Sequence, residues 1–422
     1  MENTKRLIEF IAKSTDAFNT VRTVKDILSK NGFSELKMRD IWDLKRGGKY
    51  FVTANSSSVI AFTVPEEKPN AFFITASHTD SPSFKLKGNF ELDGDGAVRL
   101  SVEGYGGMIK STWLDRPLGI GGRVVTEDNF TLTEHIVRLD RDIVIIPNLA
   151  IHLNRDINKG YEYNTRTDLC PISGEESGKI MKLIAENAGV KAEDILGFDL
   201  FLHNRADGTV LGTDNEYFAA PRIDDLQCVF ATLDAFVTSP LSDVVQVFAA
   251  FDNEEVGSGS KQGAKSTFLA DTLKRINTAL GQCEEQYNAM LAASLMLSCD
   301  NAHALHPNHA DKSDSLNRVY MNGGIVIKYN ADARYTTDAV SEAAVKTLCK
   351  RADVPYQLYA NRSDMPGGST LGNLSAEQVS INTADIGLTQ LAMHSAYETA
   401  GAKDTTYMIR LIKEFYKGEI VL

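Results

Sequence analysis

Residues 243–260 read DVVQVFAAFDNEEVGSGS. Asp243–Phe251 is predicted as a strand buried on both faces: the run is short, apolar and rich in β-branched and aromatic side chains. It stops at once on Asp252-Asn253-Glu254-Glu255, and Gly257 follows after a single valine. Two adjacent glutamates on an irregular segment point in different directions. One can ligate a metal while its neighbour faces the open metal position as a general base. The competing reading is an ordinary charged turn. The strand directly before the pair and the glycine after it favour the chemical reading.

The same punctuation recurs outward from this stretch. Asn70–Ala76 (NAFFITA) is another apolar run of buried-strand type and ends in Ser77-His78-Thr79-Asp80. Asp80 can accept the second ring N–H of His78 and fix its tautomer, although this pattern alone is better read as a solvated loop. Ala292–Cys299 runs into Asp300. Pro221-Arg222-Ile223-Asp224-Asp225 precedes a helix; Asp224 offers a carboxylate able to bridge two cations, and Asp225 reads as the helix cap. His394 follows apolar residues, where a lone histidine is usually part of a core. In an open α/β sheet, ligands gather outside the carboxyl ends of the strands, so these clusters are expected to converge. His78, Asp224, Glu255, Asp300 and His394 are the candidate ligands and Glu254 the base. Two histidines, three carboxylates and no thiolate suit a pair of borderline divalent ions such as zinc, cobalt or manganese. His303, His306 and His309 share one loop-like stretch, and spacing does not rank them.

From about residue 217 onward, strands and helices alternate. Helices are predicted over Asp225–Thr238, Gly263–Ala279, Ser341–Ala352 and Thr405–Tyr416, and strands over Gly324–Lys328 and Val379–Thr383. That alternation implies a mostly parallel sheet covered on both faces. Residues 84–216 differ: short alternating segments (Val98–Val102, Gly121–Val125, Thr131–Leu139, Asp142–Ile146) are broken by Gly, Asn and Asp, the mark of a β-rich module. The expected division is an α/β domain made of 1–82 and 217–422, interrupted by a β-rich domain at 83–216. A chain of 422 residues exceeds one ordinary core. Its formal net charge of −12 argues against nucleic acid or an anionic membrane as partner. The five cysteines include no CxxC pair, which suits reduced thiols and a cytoplasmic location.

As a series, the motifs resemble the M18 family of metalloaminopeptidases, the aspartyl aminopeptidase family. They are SHTDSPSFKLK (77–87), GGMIKSTWLDRPLGIGGRV (106–124), IPNLAIHLNRDIN (146–158), PRIDDL (221–226), FDNEEVGSGSKQGA (251–264), SCDNAHALHPNH (298–309), RSDMPGGSTLG (362–372) and QLAMHS (390–395). They span nearly the whole chain in family order. The resemblance implies an α/β fold: a mixed-sheet, three-layer metallopeptidase domain interrupted by a β-rich dimerisation domain. It implies a dinuclear zinc site, with His78 and Asp300 on one ion, Glu255 and His394 on the other, and Asp224 bridging. Asp80 would orient His78. Glu254 would activate the bridging water and pass its proton to the leaving amine. The ions would bind the free α-amino group of a peptide and so restrict cleavage to its N-terminal residue. The resemblance also implies a tetrahedral dodecamer built from dimers, in which His152 reaches a neighbour's active site. Lys328 resembles a family lysine suited to an acidic side chain, and Gly368 and Ser369 would offer backbone N–H groups to the substrate. The expected substrate therefore carries N-terminal Asp or Glu, with a neutral, Leu-like preference as the alternative. A related dinuclear carboxypeptidase or deacylase, or a non-catalytic assembly protein, fits the residues less well. Asn19 stands where a family histidine is common, Gly367 replaces a frequent cysteine, and Asp225 replaces a common asparagine.

Overall fold

Side chains along a strand alternate between its two faces. Along the strand Val245–Phe251, Val245, Val247, Ala249 and Phe251 enter one apolar core, while Phe248 and Ala250 enter another on the opposite side. The computed structural model describes residues 1–421 other than 366 and 369. In it this strand lies inside a nine-stranded sheet ordered Ser34–Leu36, Lys49–Ala54, Ser58–Thr63, Val245–Phe251, Phe72–His78, Leu295–Cys299, Asn382–Gly387, Ile325–Tyr329 and Tyr356–Ala360. Val245–Phe251, Phe72–His78, Leu295–Cys299 and Asn382–Gly387 run parallel to one another. Helices Glu2–Lys13, Ile223–Thr238, Ala339–Ala352 and Asp404–Phe415 fill one core, and helix Phe268–Ala279 packs into the other. Three layers result, because strands buried on both faces need cover on both. Ser58–Thr63 pairs antiparallel with both its neighbours, and Ile325–Tyr329 with Asn382–Gly387, so the sheet is mixed.

A six-stranded antiparallel sheet draws every strand from residues 83–204, around a core that includes Phe84, Trp113, Ile120 and Leu202. Two details differ from the sequence reading. Asp142–Ile146 forms no strand; Val144 and Ile145 make only isolated bridges, to Leu118 and Ile172. Lys179–Ala188 is a helix that adds Ile180 and Ile184 to this core. A five-stranded sheet, unforeseen from sequence, links Thr209–Leu211, Tyr217–Ala220, Glu398–Gly401, Thr389–Leu391 and Ala302–His303. Elsewhere two boundaries move. The helix predicted from Gly263 begins at Phe268, after a turn closed by Ser266 N–H on the Gly263 carbonyl. The strand predicted at Val379–Thr383 runs instead over Asn382–Gly387.

Candidate metal centre

Phe251 and His78 are register partners in the parallel ladder. The acidic segment after one strand therefore lies beside the imidazole that ends the other. His78 Nε2 is 3.3 Å from Asp224 Oδ1 and 3.9 Å from Asp300 Oδ1. His394 Nε2 is 3.4 Å from Asp224 Oδ2 and 3.3 Å from Glu255 Oε2. Asp224 stands between two donor groups, one oxygen towards each histidine. Ligand atoms of His78, Asp224, Asp225 and Asp300 lie within 4.8 Å of one another, as do those of Asp224, Glu255 and His394. Glu254 joins His78, Asp224, Asp300 and His394 in lining a cleft of about 150 Å³.

A layer of hydrogen bonds aims these groups. Asp80 Oδ1 accepts the Glu254 N–H, and Oδ2 accepts the Glu255 N–H, each at 3.2 Å. The Tyr105 hydroxyl donates to Asp80 Oδ2 at 2.6 Å, and His78 Nδ1 is 3.4 Å from Asp80 Oδ1. The Asp80 carbonyl lies closer still, 3.1 Å from His78 Nδ1, so one residue ties His78 to both glutamates. The Gly107 carbonyl lies 2.9 Å from His394 Nδ1. With Nδ1 engaged behind each ring, Nε2 is the nitrogen that faces the carboxylates. Gly106 has φ +74°, and a Cβ there would lie 3.1 Å from that of Glu255. Asp225 is not the expected cap. The helix Ile223–Thr238 starts without a side-chain cap, and Asp225 Oδ2 accepts the backbone N–H of His78 at 3.2 Å. Glu398 accepts the N–H groups of Asp224 and His394. Spacing did not single out Tyr105, Gly107 or Glu398. Their only signal was membership of, or nearness to, the quoted motifs.

The electrostatics follow from crowding acids in a buried space. Burial opposes ionisation of Asp224, yet hydrogen bonds from His394 and His78 hold its carboxyl well below the usual range. Burial and the Asp224 charge push Glu255 well up. Burial disfavours a charged His394, but Asp224 and Glu255 raise it to about 10. Burial pushes Glu254 up to about 8, with His78 opposing and Asp300 and Asp80 adding to it. Glu255 Oε1 is buried without a hydrogen-bond partner, and Asp224 Oδ1 lacks a well-aligned one. A divalent cation supplies what such a cluster lacks, a ligand for the free oxygens and a counter-charge. The donor set fits one.

The remaining candidates spread out. Lys328 is 2% exposed and lines the cleft with Gly368. Its ammonium donates to the Asn301 carbonyl at 2.8 Å and lies 3.6 Å from Asp300 Oδ2. Ser369 lies outside the described residues. His152 is exposed on a turn-rich segment and is not among the described residues that line the cleft. His303 lines it, whereas the His306 and His309 rings sit 4.9 Å apart in an adjoining pocket.

Residues 10–416 match the family model described as Aminopeptidase I zinc metalloprotease (M18). The chain is 43% identical over 427 residues to Probable M18 family aminopeptidase 2 of Clostridium acetobutylicum, covering 99% of each chain. It is 36% identical to Aspartyl aminopeptidase 4 of Saccharomyces cerevisiae, over 98% of this chain and 94% of that one. Among solved structures it is similar to a complex of Ape4 and Nbr1, with a TM-score of 0.95 and 33% identity over 98% of this chain and 85% of that chain. It is also similar to a Saccharomyces cerevisiae mApe1 dodecamer, with a TM-score of 0.87 and 26% identity over 98% of this chain and 96% of that chain. A family model matched over nearly the full length, and relatives above 30% identity along it, place the chain in the M18 family: it is a metalloaminopeptidase.

Proposed function

We propose that this enzyme removes the N-terminal residue of peptides at a dinuclear metal site and prefers N-terminal Asp or Glu. The observation that carries this reading is Asp224, whose two oxygens face separate donor groups, His78 with Asp300 and His394 with Glu255. These five residues would hold two divalent ions, with zinc the best match to the imidazole and carboxylate donors. Bound there, the ions would lower the pKa of water and polarise the peptide carbonyl. Glu254 is the cleft carboxylate left over from ligation. It takes the proton of the attacking water and returns it to the departing amine. Asp80 keeps the His78 ring in the orientation that ligation needs. Gly368, which lines the cleft, offers its backbone N–H to substrate oxygens.

Lys328 supplies a cation for an acidic side chain, since it lines the cleft. One observation favours the neutral-preference alternative: Asp300 and the Asn301 carbonyl already engage its ammonium. A release assay on peptides differing only at the first residue, with added zinc, manganese or cobalt, decides between them. Faster release of Asp or Glu than of Leu supports the acidic reading, and the reverse order ends it. Glu254→Gln is expected to fold and bind zinc while losing at least about 100-fold in turnover. Full activity in that variant removes Glu254 from its role.

We further propose that 83–216 is a dimerisation domain set into a catalytic domain of 1–82 and 217–422, and that the enzyme is a homo-oligomer, a tetrahedral dodecamer of dimers. Support comes from the exposed Leu149, Ile151 and Leu153 around His152, and from the dodecameric mApe1 neighbour. His152 would then enter a neighbouring subunit's cleft. All five cysteines are unpaired, which supports a reducing, cytoplasmic location. No described helix is long and apolar enough to cross a membrane.

A further inference from the structure

We propose that Glu398 is a positioning residue that sets the Asp224–His394 half of the metal centre. The inference rests on the dinuclear reading above and assigns a role to a residue outside the ligand set. Glu398 is 2% exposed. Its Oε2 accepts the backbone N–H of Asp224 at 3.1 Å, and its Oε1 accepts that of His394 at 2.7 Å. The two residues whose main chains it holds are those whose side chains meet at 3.4 Å.

Topology makes this clamp possible. Glu398 opens the middle strand of three, pairing with Ala220 on one side, and the next residue pairs with Leu391 on the other. The strand Tyr217–Ala220 runs on into Asp224, and Thr389–Leu391 runs on into His394. A carboxylate at the end of the middle strand therefore faces both loops that leave its neighbours. Those loops need holding. His394 has φ +67° and Arg222 has φ +57°. The left-handed region is costly for a non-glycine residue and persists only where the surroundings fix it. Apart from the shared Asp224, the other half of the centre takes nothing from Glu398: the His78 N–H goes to Asp225, its ring nitrogen faces Asp80, and the Asp300 N–H goes to the Ile386 carbonyl. Loss of Glu398 should therefore weaken the ion between Glu255 and His394 more than the other, which it reaches only through the shared Asp224.

Two variants test this in the full-length enzyme. Glu398→Gln keeps the size but replaces one acceptor oxygen with an amide nitrogen that cannot accept an N–H. Glu398→Asp keeps the charge but withdraws it by one methylene. Zinc–chelator competition reads both binding steps, metal analysis reads the stoichiometry, and a thermal melt monitors folding. The expected result, in either variant that folds, is one zinc step weakened about 10- to 100-fold while the other weakens clearly less. Asp404→Asn serves as a control. Asp404 accepts the N–H groups of Asn322 and Gly324 beyond the same sheet, so its loss should lower the melting temperature and leave both zinc steps alone. Two unchanged steps in the Glu398 variants, or equal weakening of both, overturn the inference. A wild-type enzyme that binds fewer than two zinc ions overturns the dinuclear reading and this inference with it.

Discussion

Replacing Tyr105 by phenylalanine deletes one hydroxyl, yet that hydroxyl is the shortest contact to Asp80, at 2.6 Å, and also accepts from Asn253 at 2.9 Å. Asp80 keeps the Glu254 and Glu255 N–H groups, so the loop survives while the carboxylate behind His78 is freer to turn. Such supporting groups typically contribute 10- to 100-fold to metal affinity. Tyr105→Phe is expected to weaken zinc about 10-fold, read by chelator competition, with a melting temperature close to that of the parent; unaltered zinc affinity would count against the role. The case also shows which residues a sequence can announce. His78, Glu254 and Glu255 follow buried strands directly, so the chain itself marks where chemistry sits at a strand end. Tyr105 and Glu398 act on residues they approach only after three sheets have assembled. Asp225 misleads for the same reason: an acid before a helix is usually a cap, and only the fold shows His78's N–H within its reach.

Elements repeat that contrast. Val245–Phe251 and Phe72–His78 were readable because a strand covered on both faces must be apolar throughout. The five-stranded sheet was not, since its strands span two to four residues and no periodicity develops over so short a run. The helix Lys179–Ala188 carries helical spacing at Ile180 and Ile184, but it sits inside a stretch whose turns spoke for strands. The loop that leaves the strand Val98–Tyr105 shows how one element serves another. At Gly106 the positive φ leaves an added Cβ 3.1 Å from Glu255 Cβ and 3.4 Å from Pro82 Cα. Gly106→Ala must either leave the left-handed region or press on Glu255. The expected cost is about 1–2 kcal/mol, seen as a melting temperature lower by about 2–4 °C, with activity falling further than stability alone explains. A fully active Gly106→Ala enzyme would show that the Glu255 position tolerates movement of this loop.

At the scale of the molecule, one sheet edge gathers acids that no fold would concentrate without a counter-charge. The Glu254, Glu255, Asp300 and Asp252 carboxyls are all raised, with burial the first cause in each. Asp252 reaches about 7 and Glu254 about 8. Their unfolded values lie near about 4. A raised acid contributes stability that is fully present below its unfolded pKa and is lost as the pH rises through its folded value. In zinc-free protein, stability should therefore fall between about pH 4 and pH 8. Zinc reverses the sign of that argument, because ions held by Asp224 and its neighbours favour the charged carboxylates and bind better as protons leave. Each ion present at about 100 times its Kd adds about 2.7 kcal/mol. The gap in melting temperature between zinc-loaded and chelator-treated enzyme should then widen from about pH 5 to about pH 8, reaching on the order of 5–10 °C. Paired thermal melts across that range measure it directly. A gap that is absent, or that narrows towards pH 8, would mean the buried acids are neutralised by protein groups rather than by metal.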